Sequence, residues 1–432
     1  MKKYKLGELL DVTRGASLSG EYYSTEGEFI RLTLGNFDYQ NGGFKENTSK
    51  DDLFFMGTVK PQFILNEGDI ITPLTEQTQG LIGSTARIPQ SGVYIQSQDV
   101  GLVKCNGELL DPDFCYYLLP SQIVKKQLSA GAQQTKIRHT SPDKIKDVTV
   151  FLPELSEQRK IGHILRSIDS QIDNLTAINR NLEQFARQLY DYWFVQFDFP
   201  NSEGKPYKSS GGEMVWNEKL KRSIPKDWKV VALDSLIDDS RGISYNGSMI
   251  LGSGIPMINL ASFNIDGTYK HSGLKYFNGV YSSNKVLKPF DLVMCNTQQT
   301  AIDEKKDIIG KAFLIPALFE SDVVSSHHVT TIICKSEEIK PFLAYLFNTR
   351  HFHKYAAGCC SGTNIMGLDM KNLKKYELEI PSKELLKRFS RLIIDIESQK
   401  SINVKKVLCF KKIRDELLPM LLNGRVNCDL SK

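Results

Sequence analysis

SEQRKIGHILRSIDSQIDNLTAINRNLEQFARQLYDYWF, residues 156–194, has no proline and no glycine after Gly162. Alternating steps of four and three pick out Ile161, Leu165, Ile168, Ile172, Leu175, Asn179, Leu182, Ala186, Leu189 and Trp193. Residues so spaced fall on one stripe of a helix, the a/d seam of a coiled coil, sustained here over more than four heptads. Asn179 is its one polar member; a lone polar residue there either sets register or is merely tolerated. Ser156, shortly after Pro153, is the expected N-cap. At 1.5 Å per residue some 40 helical residues span roughly 60 Å, and such a stripe needs a partner to be buried.

Residues 384–422 repeat the theme less cleanly. Their seam reads Leu385, Phe389, Leu392, Ile396, then Gln399, Asn403 and Lys406, then Phe410, Ile413, Leu417 and Met420, with Gly424 placed as a C′ glycine. Two long amphipathic helices separated by a whole domain are expected to pack as an antiparallel pair.

The chain flanking the first helix says the same thing twice. LGELLDVTRG (6–15) answers to LDSLIDDSRG (233–242), an offset of 227. FIRLTLGNF (29–37) matches IPMINLASF (255–263), LNEGDII (65–71) matches LKPFDLV (287–293), and IGSTARIP (82–89) matches IGKAFLIP (309–316). AGAQQTKI (130–137) matches AGCCSGTNI (357–365), and IKDVTVFLP (145–153) matches LKKYELEIP (373–381). Six matches in order and nearly in register describe a duplicated domain.

Within each copy, short β-type runs alternate with Gly, Asn, Asp and Ser clusters, and a short helical segment follows VYIQSQDVGLVKC (93–105) and VVSSHHVTTIICK (323–335). The expected class is α+β: two pseudo-repeated domains, each a mixed, partly barrelled sheet with short helices, separated by two long α-helices forming an antiparallel coiled coil. The expected boundaries are 1–153 and 229–381 for the domains, 154–197 and 382–424 for the helices, 198–228 for a connector and 425–432 for a tail. Aromatics at the ends of the connector (Phe197, Phe199, Trp216, Trp228) predict a docked strap.

Charge is informative only when divided. The net charge is +5 over 432 residues. Residues 1–153 carry −2, 154–228 carry 0, 229–381 carry +1 and 382–432 carry +6, so the excess sits in the last helix and both repeats are close to neutral. Such domains have little counterion release to offer DNA alone. Eight cysteines without a C-x-x-C pair point to reduced, buried thiols and no structural zinc. No run of 18 apolar residues exists to cross a membrane.

Motifs for catalysis are missing. There is no phosphate-binding G-x-x-x-x-G-K-[ST] loop, no G-x-G-x-x-G, no [DNS]-P-P-[YFW] and no G-x-S-x-G. Asp291, Glu304 and Lys306 copy the acidic-acidic-lysine order of a metal-dependent nuclease, but AIDEKKDIIG (301–310) reads as a solvated turn and the first copy has no counterpart. His327, His328, His351 and His353 lack placeable thiolate or carboxylate partners, and satisfied or exposed histidines are far commoner than ligands.

What remains is a set of polar, Gly-containing loops at equivalent places in both copies. They are PLTEQTQGLIGS (73–84), SAGAQQTKIRHTSP (129–142), CNTQQTAIDEKKDIIGK (295–311) and CSGTNIMGLD (360–369). Gln and Asn can pair with adenine, Arg and Lys with guanine, and Thr with the thymine methyl. Taken singly, each such side chain is more often an ordinary surface residue. Recurrence in both copies favours the reading role.

The order repeat, long helix, repeat, long helix resembles the specificity (HsdS) subunit of type I restriction-modification systems. LPELSEQRKIGHILRSIDSQIDNL (152–175) is very similar to the opening of that family's first long helix, and FDFPNSEGKPYKSSGGEMVWNEKLKRSIPKDW (197–228) to its central segment. The resemblance covers essentially the whole chain. It implies two target recognition domains, each reading half of an asymmetric bipartite site in double-stranded DNA, and a helix pair that sets their spacing and docks two modification (methyltransferase) subunits. It leaves open whether restriction subunits join them.

By the same resemblance this cytoplasmic, prokaryotic chain is not an enzyme and holds no cofactor. S-adenosylmethionine belongs to the modification subunit, and ATP and Mg to the restriction subunit. The readers expected in the first domain are Gln77, Gln79, Gln134, Lys136 and Arg138. In the second they are Gln298, Gln299, Lys311, Thr363 and Asn364. The alternatives are a stand-alone metal-dependent nuclease and a coiled-coil scaffold with no DNA role.

Overall fold

The computed structural model describes residues 1–38, 42–76, 80–130, 138–299, 307–363 and 365–424. Two compact units emerge: Met1–Asp173 with the chain from Cys409 onward, and Asn174–Leu408. Each long helix therefore contributes to both units.

The two units share one sheet plan. In the first, strands run in the order Leu10–Arg14, Val100–Cys105, Ile70–Pro73, Ala86–Arg87. In the second, the same order is filled by Ile237–Arg241, Val329–Cys334, Leu292–Cys295 and Ala312–Leu314. A second four-stranded sheet recurs as well: Tyr23–Ser24, Phe54–Phe55, Phe29–Arg31, Tyr94–Ile95, answered by Ile250–Leu251, Lys275–Phe277, Ile255–Ile258, Val324–Ser325. Its last pair is parallel in both units, so the sheets are mixed.

One glycine per copy shows how deep the duplication goes. A Cβ on Gly15 would lie 2.3 Å from the Gln96 carbonyl oxygen, and one on Gly242 would lie 2.2 Å from that of Ser326. No other residue fits where two backbones approach so closely.

The helix pair is seated differently in each unit. The first long helix, Leu155–Tyr190, starts one residue earlier than the expected cap: the amides of Glu157 and Gln158 donate to the Glu154 carbonyl, so Ser156 lies inside the first turn. Gln158 is buried and fully used, donating to Leu109 O and Pro153 O and accepting from the Asp111 amide. A Cβ on Gly162 would lie 2.8 Å from the Phe114 amide, so this glycine lets the short helix Pro112–Leu118 approach. Ile161 and Leu165 then join a core with Phe114, Leu118, Leu421 and Leu422.

Antiparallel pairing is visible within each unit. In the first, Asp169 pairs with Arg414 at 2.9 Å. In the second, Asn179 meets Asn403, and Glu183 meets Lys400. Ile161, Leu165, Ile172, Ala186 and Trp193 are buried, while Ile168, Leu175, Asn179, Leu182 and Leu189 are half-buried. On the second helix, Lys383–Leu422, Phe389 is buried and Ile396, Phe410 and Leu417 are half-buried. The expected seam positions Leu392, Ile413 and Met420 instead face solvent. The adjacent Ile393 and Leu421 are buried in place of Leu392 and Met420, and the mostly buried Arg414, paired with Asp169, takes the inward place beside Ile413, a charged seam position that counting apolar side chains alone skips.

At its C-terminus the first helix passes into a π-helical turn, Asp191–Val195, which turns both Trp193 and Phe194 inward. Phe194 packs edge-on against Phe342 and Phe389 at 4.9 and 4.8 Å. The connector that follows is a docked strap: Phe199 stacks between Tyr207 at 4.6 Å and Trp228 at 5.4 Å. Asp198 accepts from the Ser209 hydroxyl and amide, hydrogen bonds that hold its carboxyl below the usual range. Trp216 departs from the expectation. It is exposed on the hairpin Met214–Asn217/Arg222–Pro225, its indole N–H donating to Glu218. Cys409 is likewise exposed, unlike the buried thiols expected. No helix among the described residues is long and apolar enough to cross a membrane.

Candidate nucleic-acid interface

From each main sheet a second, narrow ribbon departs. In the first unit, Thr75–Glu76 pairs with Arg138–His139, and Arg138 lies opposite Glu76. In the second, Thr297–Gln299 pairs with Ile365–Leu368, which pairs in turn with Cys360–Ser361. Segments far apart in sequence are thereby joined to adjacent strands. The segments holding Gln77, Gln79, Gln134 and Lys136 leave from one ribbon, and those holding Gln299, Thr363 and Asn364 from the other.

Each ribbon is braced in the same two ways. The Oε1 of Glu76 accepts from the amides of Gly80 and Leu81 at 2.5 and 2.9 Å, and Lys125 donates to the Gly80 carbonyl at 3.0 Å. At the equivalent place the Oε1 of Gln298 accepts from the amides of Ile308 and Ile309 at 2.9 and 3.2 Å. One side chain thus closes the loop that follows it. Below it, the Thr75 hydroxyl donates to Asp99 at 2.7 Å, and the Thr297 hydroxyl shares a hydrogen bond with Nδ1 of His328 at 2.7 Å.

The ten expected readers are placed unequally. Gln77, Gln79, Gln134, Lys136 and Asn364 lie outside the described residues, as do the side chains of Arg138 and Gln299. Gln298 has its carbonyl oxygen committed to the loop brace. Thr363 is exposed in the tight turn entering Ile365–Leu368, where Gly362 (φ 135°) leaves no room for a Cβ beside the Ile365 carbonyl.

Lys311 is withdrawn from the surface. It is buried, its ammonium 3.4 Å from the Asn348 carbonyl, and burial lowers its pKa. A lysine so enclosed is not presented to a base edge, which corrects the expectation for that residue.

The nuclease arrangement finds no support either. Asp291 accepts from the Lys288 amide and pairs with Lys340, a turn-closing role, while Glu304 and Lys306 lie outside the described residues. Among the described residues, no group of three His, Cys, Asp or Glu is placed to hold a metal ion.

Two ribbons of one design, set on duplicated sheets, agree with what the sequence matches. Residues 1–184 and 225–406 fit the profile of the type I restriction modification DNA specificity domain. The chain belongs to that family.

Among related specificity proteins, the type I restriction enzyme MjaIX specificity subunit of Methanocaldococcus jannaschii is 24% identical over 324 residues, covering 73% of this chain and 69% of the relative. The HindI specificity subunit of Haemophilus influenzae is 22% identical, covering 77% of this chain and 81% of that one. The crystal structure of the type I restriction-modification S subunit from M. genitalium shares the fold with a TM-score of 0.59 at 16% identity, over 97% of this chain and 95% of that one.

As a specificity protein, the chain carries two features that its sequence does not announce. Glu76 is hidden because a carboxylate repels phosphate, yet its partners are backbone amides. The pairing of Thr297 with His328 is hidden because 31 residues separate them; the repeat contains the signal, since Thr75 and Asp99 hold the same places.

Proposed function

We propose that this chain is the DNA sequence-recognition subunit of a type I restriction-modification assembly, reading an asymmetric bipartite site. Residues 1–153 and 229–381 are the two target recognition domains. Each presents a braced ribbon whose loops read base edges, while other contacts hold phosphates. The family match over both repeats is the observation that carries this reading. Loop sequences differ between the copies, so the two half-sites differ. The readers are Gln77, Gln79, Gln134, Lys136 and Arg138 for one half, and Gln299, Thr363 and Asn364, with the amide nitrogen of Gln298, for the other.

The chain is the specificity subunit and not the catalyst. Two methyltransferase subunits dock along the helix pair and carry S-adenosylmethionine, methylating adenine N6. Restriction subunits, where they join, bring ATP and Mg. The setting is the prokaryotic cytoplasm, where the substrate DNA lies. Mapping methylated adenines in cells with and without this gene tests the reading. A two-part motif should vanish on deletion, and an unchanged methylation pattern contradicts it.

A further inference from the structure

Although the two reading domains are close to neutral, their positive charge is not placed alike. In the second unit, Arg241 ends the strand Ile237–Arg241 and donates its Nε to the His327 carbonyl at 3.1 Å. Lys285 reaches over it, donating to the Arg241 carbonyl at 2.8 Å and to the Ser240 hydroxyl at 3.0 Å. His327 and His328 sit ring against ring, their centroids 3.8 Å apart, and Lys275 lies close enough to act on His328 electrostatically. Among the described residues, none of Arg241, Lys275 and Lys285 makes an ion pair with a carboxylate. The partners of Arg241 and Lys285 are neutral acceptors. A structural surface usually interleaves its signs; here Asp239, on the same strand as Arg241, is spent on Lys374.

This patch lies at the foot of the reading ribbon, because His328 is bonded to Thr297, the first residue of the ribbon strand that leads into the loop. A loop that enters a groove brings the foot of its ribbon toward the flanking phosphates, where unneutralised cations are useful.

Among the described residues the first unit offers no equivalent. The shared bridges Ala16 to Ser97 and Ile243 to Ser326 align the copies there, placing Gln98 and Asp99 where the second unit has His327 and His328. Strand register makes Leu53 the counterpart of Lys275, and the turns Pro61–Phe63 and Ser283–Lys285 match Phe63 to Lys285. Of the patch's cations, Arg241 alone has a cationic counterpart among the described residues, Arg14.

We propose that Arg241, Lys275, Lys285, His327 and His328 form a phosphate-contact patch, giving the second half-site a salt- and pH-dependent grip that the first half-site lacks. This rests on the DNA-recognition reading above. The groups around His328 are Arg241 from one strand, Lys275 from another, His327 beside it and Thr297 on the ribbon. Burial and these cations keep His328 below its ordinary pKa, so it is mostly neutral at pH 7.5 when free. A phosphate favours the charged form, so binding takes up a proton and tightens as the pH falls.

The test uses the full chain assembled with its methyltransferase subunits. Binding is measured against salt and pH on a duplex containing the methylated motif and on one lacking it. Lys275→Gln with Lys285→Gln should flatten the slope of log K against log salt by about 0.9 for each phosphate no longer neutralised, leaving the motif unchanged. His327→Gln with His328→Asp, which installs the residues the first unit carries, should abolish the tightening between pH 8 and pH 6 seen with the parent. Motif-specific binding with the parent's salt slope and pH profile in both variants overturns the patch. A parent complex with no preference for the motif overturns the recognition reading, and the patch with it.

Discussion

Asn403 donates its side-chain amide to Oδ1 of Asn179 at 2.8 Å, and Asn179 donates its own to the Lys400 carbonyl at 3.1 Å. Gln399 completes the layer by donating to Asn403 at 2.9 Å. The polar member of the seam is therefore one half of a matched pair. Because both amides are answered only when these two positions face each other, the layer fixes the register of the helices in the second unit.

Breaking that pair on one side should cost more than removing it whole. Asn403→Leu leaves the Asn179 oxygen without its donor, at an expected loss of about 1–3 kcal/mol. Joining it with Asn179→Leu should recover most of the loss, since two apolar side chains then meet. Urea midpoints of the single and double variants, at an unchanged slope, check this.

Lys400 stands between Glu183 and Glu397 at 2.6 and 2.7 Å, and Arg187 shares Glu183 at 2.7 Å. Burial opposes ionisation of Glu183, yet Lys400 and Arg187 together bring its pKa below the ordinary value. Lys400→Met keeps the volume, leaves the enclosed Glu397 without its cation and leaves Glu183 to Arg187 alone. Destabilisation of about 3–5 kcal/mol is expected, seen as an early unfolding step by calorimetry.

The loop braces should matter to reading and little to folding. Gln298→Ala frees the amide of Ile308 and leaves that of Ile309 to Asp307 alone, and Glu76→Ala frees those of Gly80 and Leu81. Each variant should relax the motif in one half-site only, at about 1–3 kcal/mol of lost base discrimination. Methylome sequencing of the two strains reports which half has loosened.

Much of the architecture is legible in the sequence, and the reason is periodicity. Both long helices and the duplication follow from apolar spacing and recurrent segments, because burial imposes regular patterns on a chain. The ribbons are less accessible: Arg138 faces Glu76 across 62 residues of sequence, and no local signal announces that register. Gln298 is picked out in the sequence only by its place in a recurrent polar segment, and a glutamine that braces a loop and one that reads adenine look alike there. Charges inside the seam are obscured for a similar reason. Lys400 and Arg414 are tolerated there only because Glu183 and Asp169 lie opposite and Glu397 sits one turn before Lys400 on the same helix.

Acidification should weaken the second unit. His353 is held below its ordinary pKa of 6.5 by burial and by Lys311, with Asp307 opposing, and His328 is lowered by burial and its cationic neighbours. A lowered folded pKa means the unfolded chain binds the proton first, so stability is complete above about pH 6.5 and declines below it. His353→Gln should flatten that decline. Thermal midpoints from pH 8 to pH 5.5, compared between parent and variant, decide the matter.

The central claim is that two reading domains act independently on two halves of one site. Its most direct test replaces residues 1–153 with the same domain from another specificity protein and sequences the methylome. The account predicts that one half of the methylated motif changes while the other half keeps its bases. Alteration of both halves, or of neither, would contradict it.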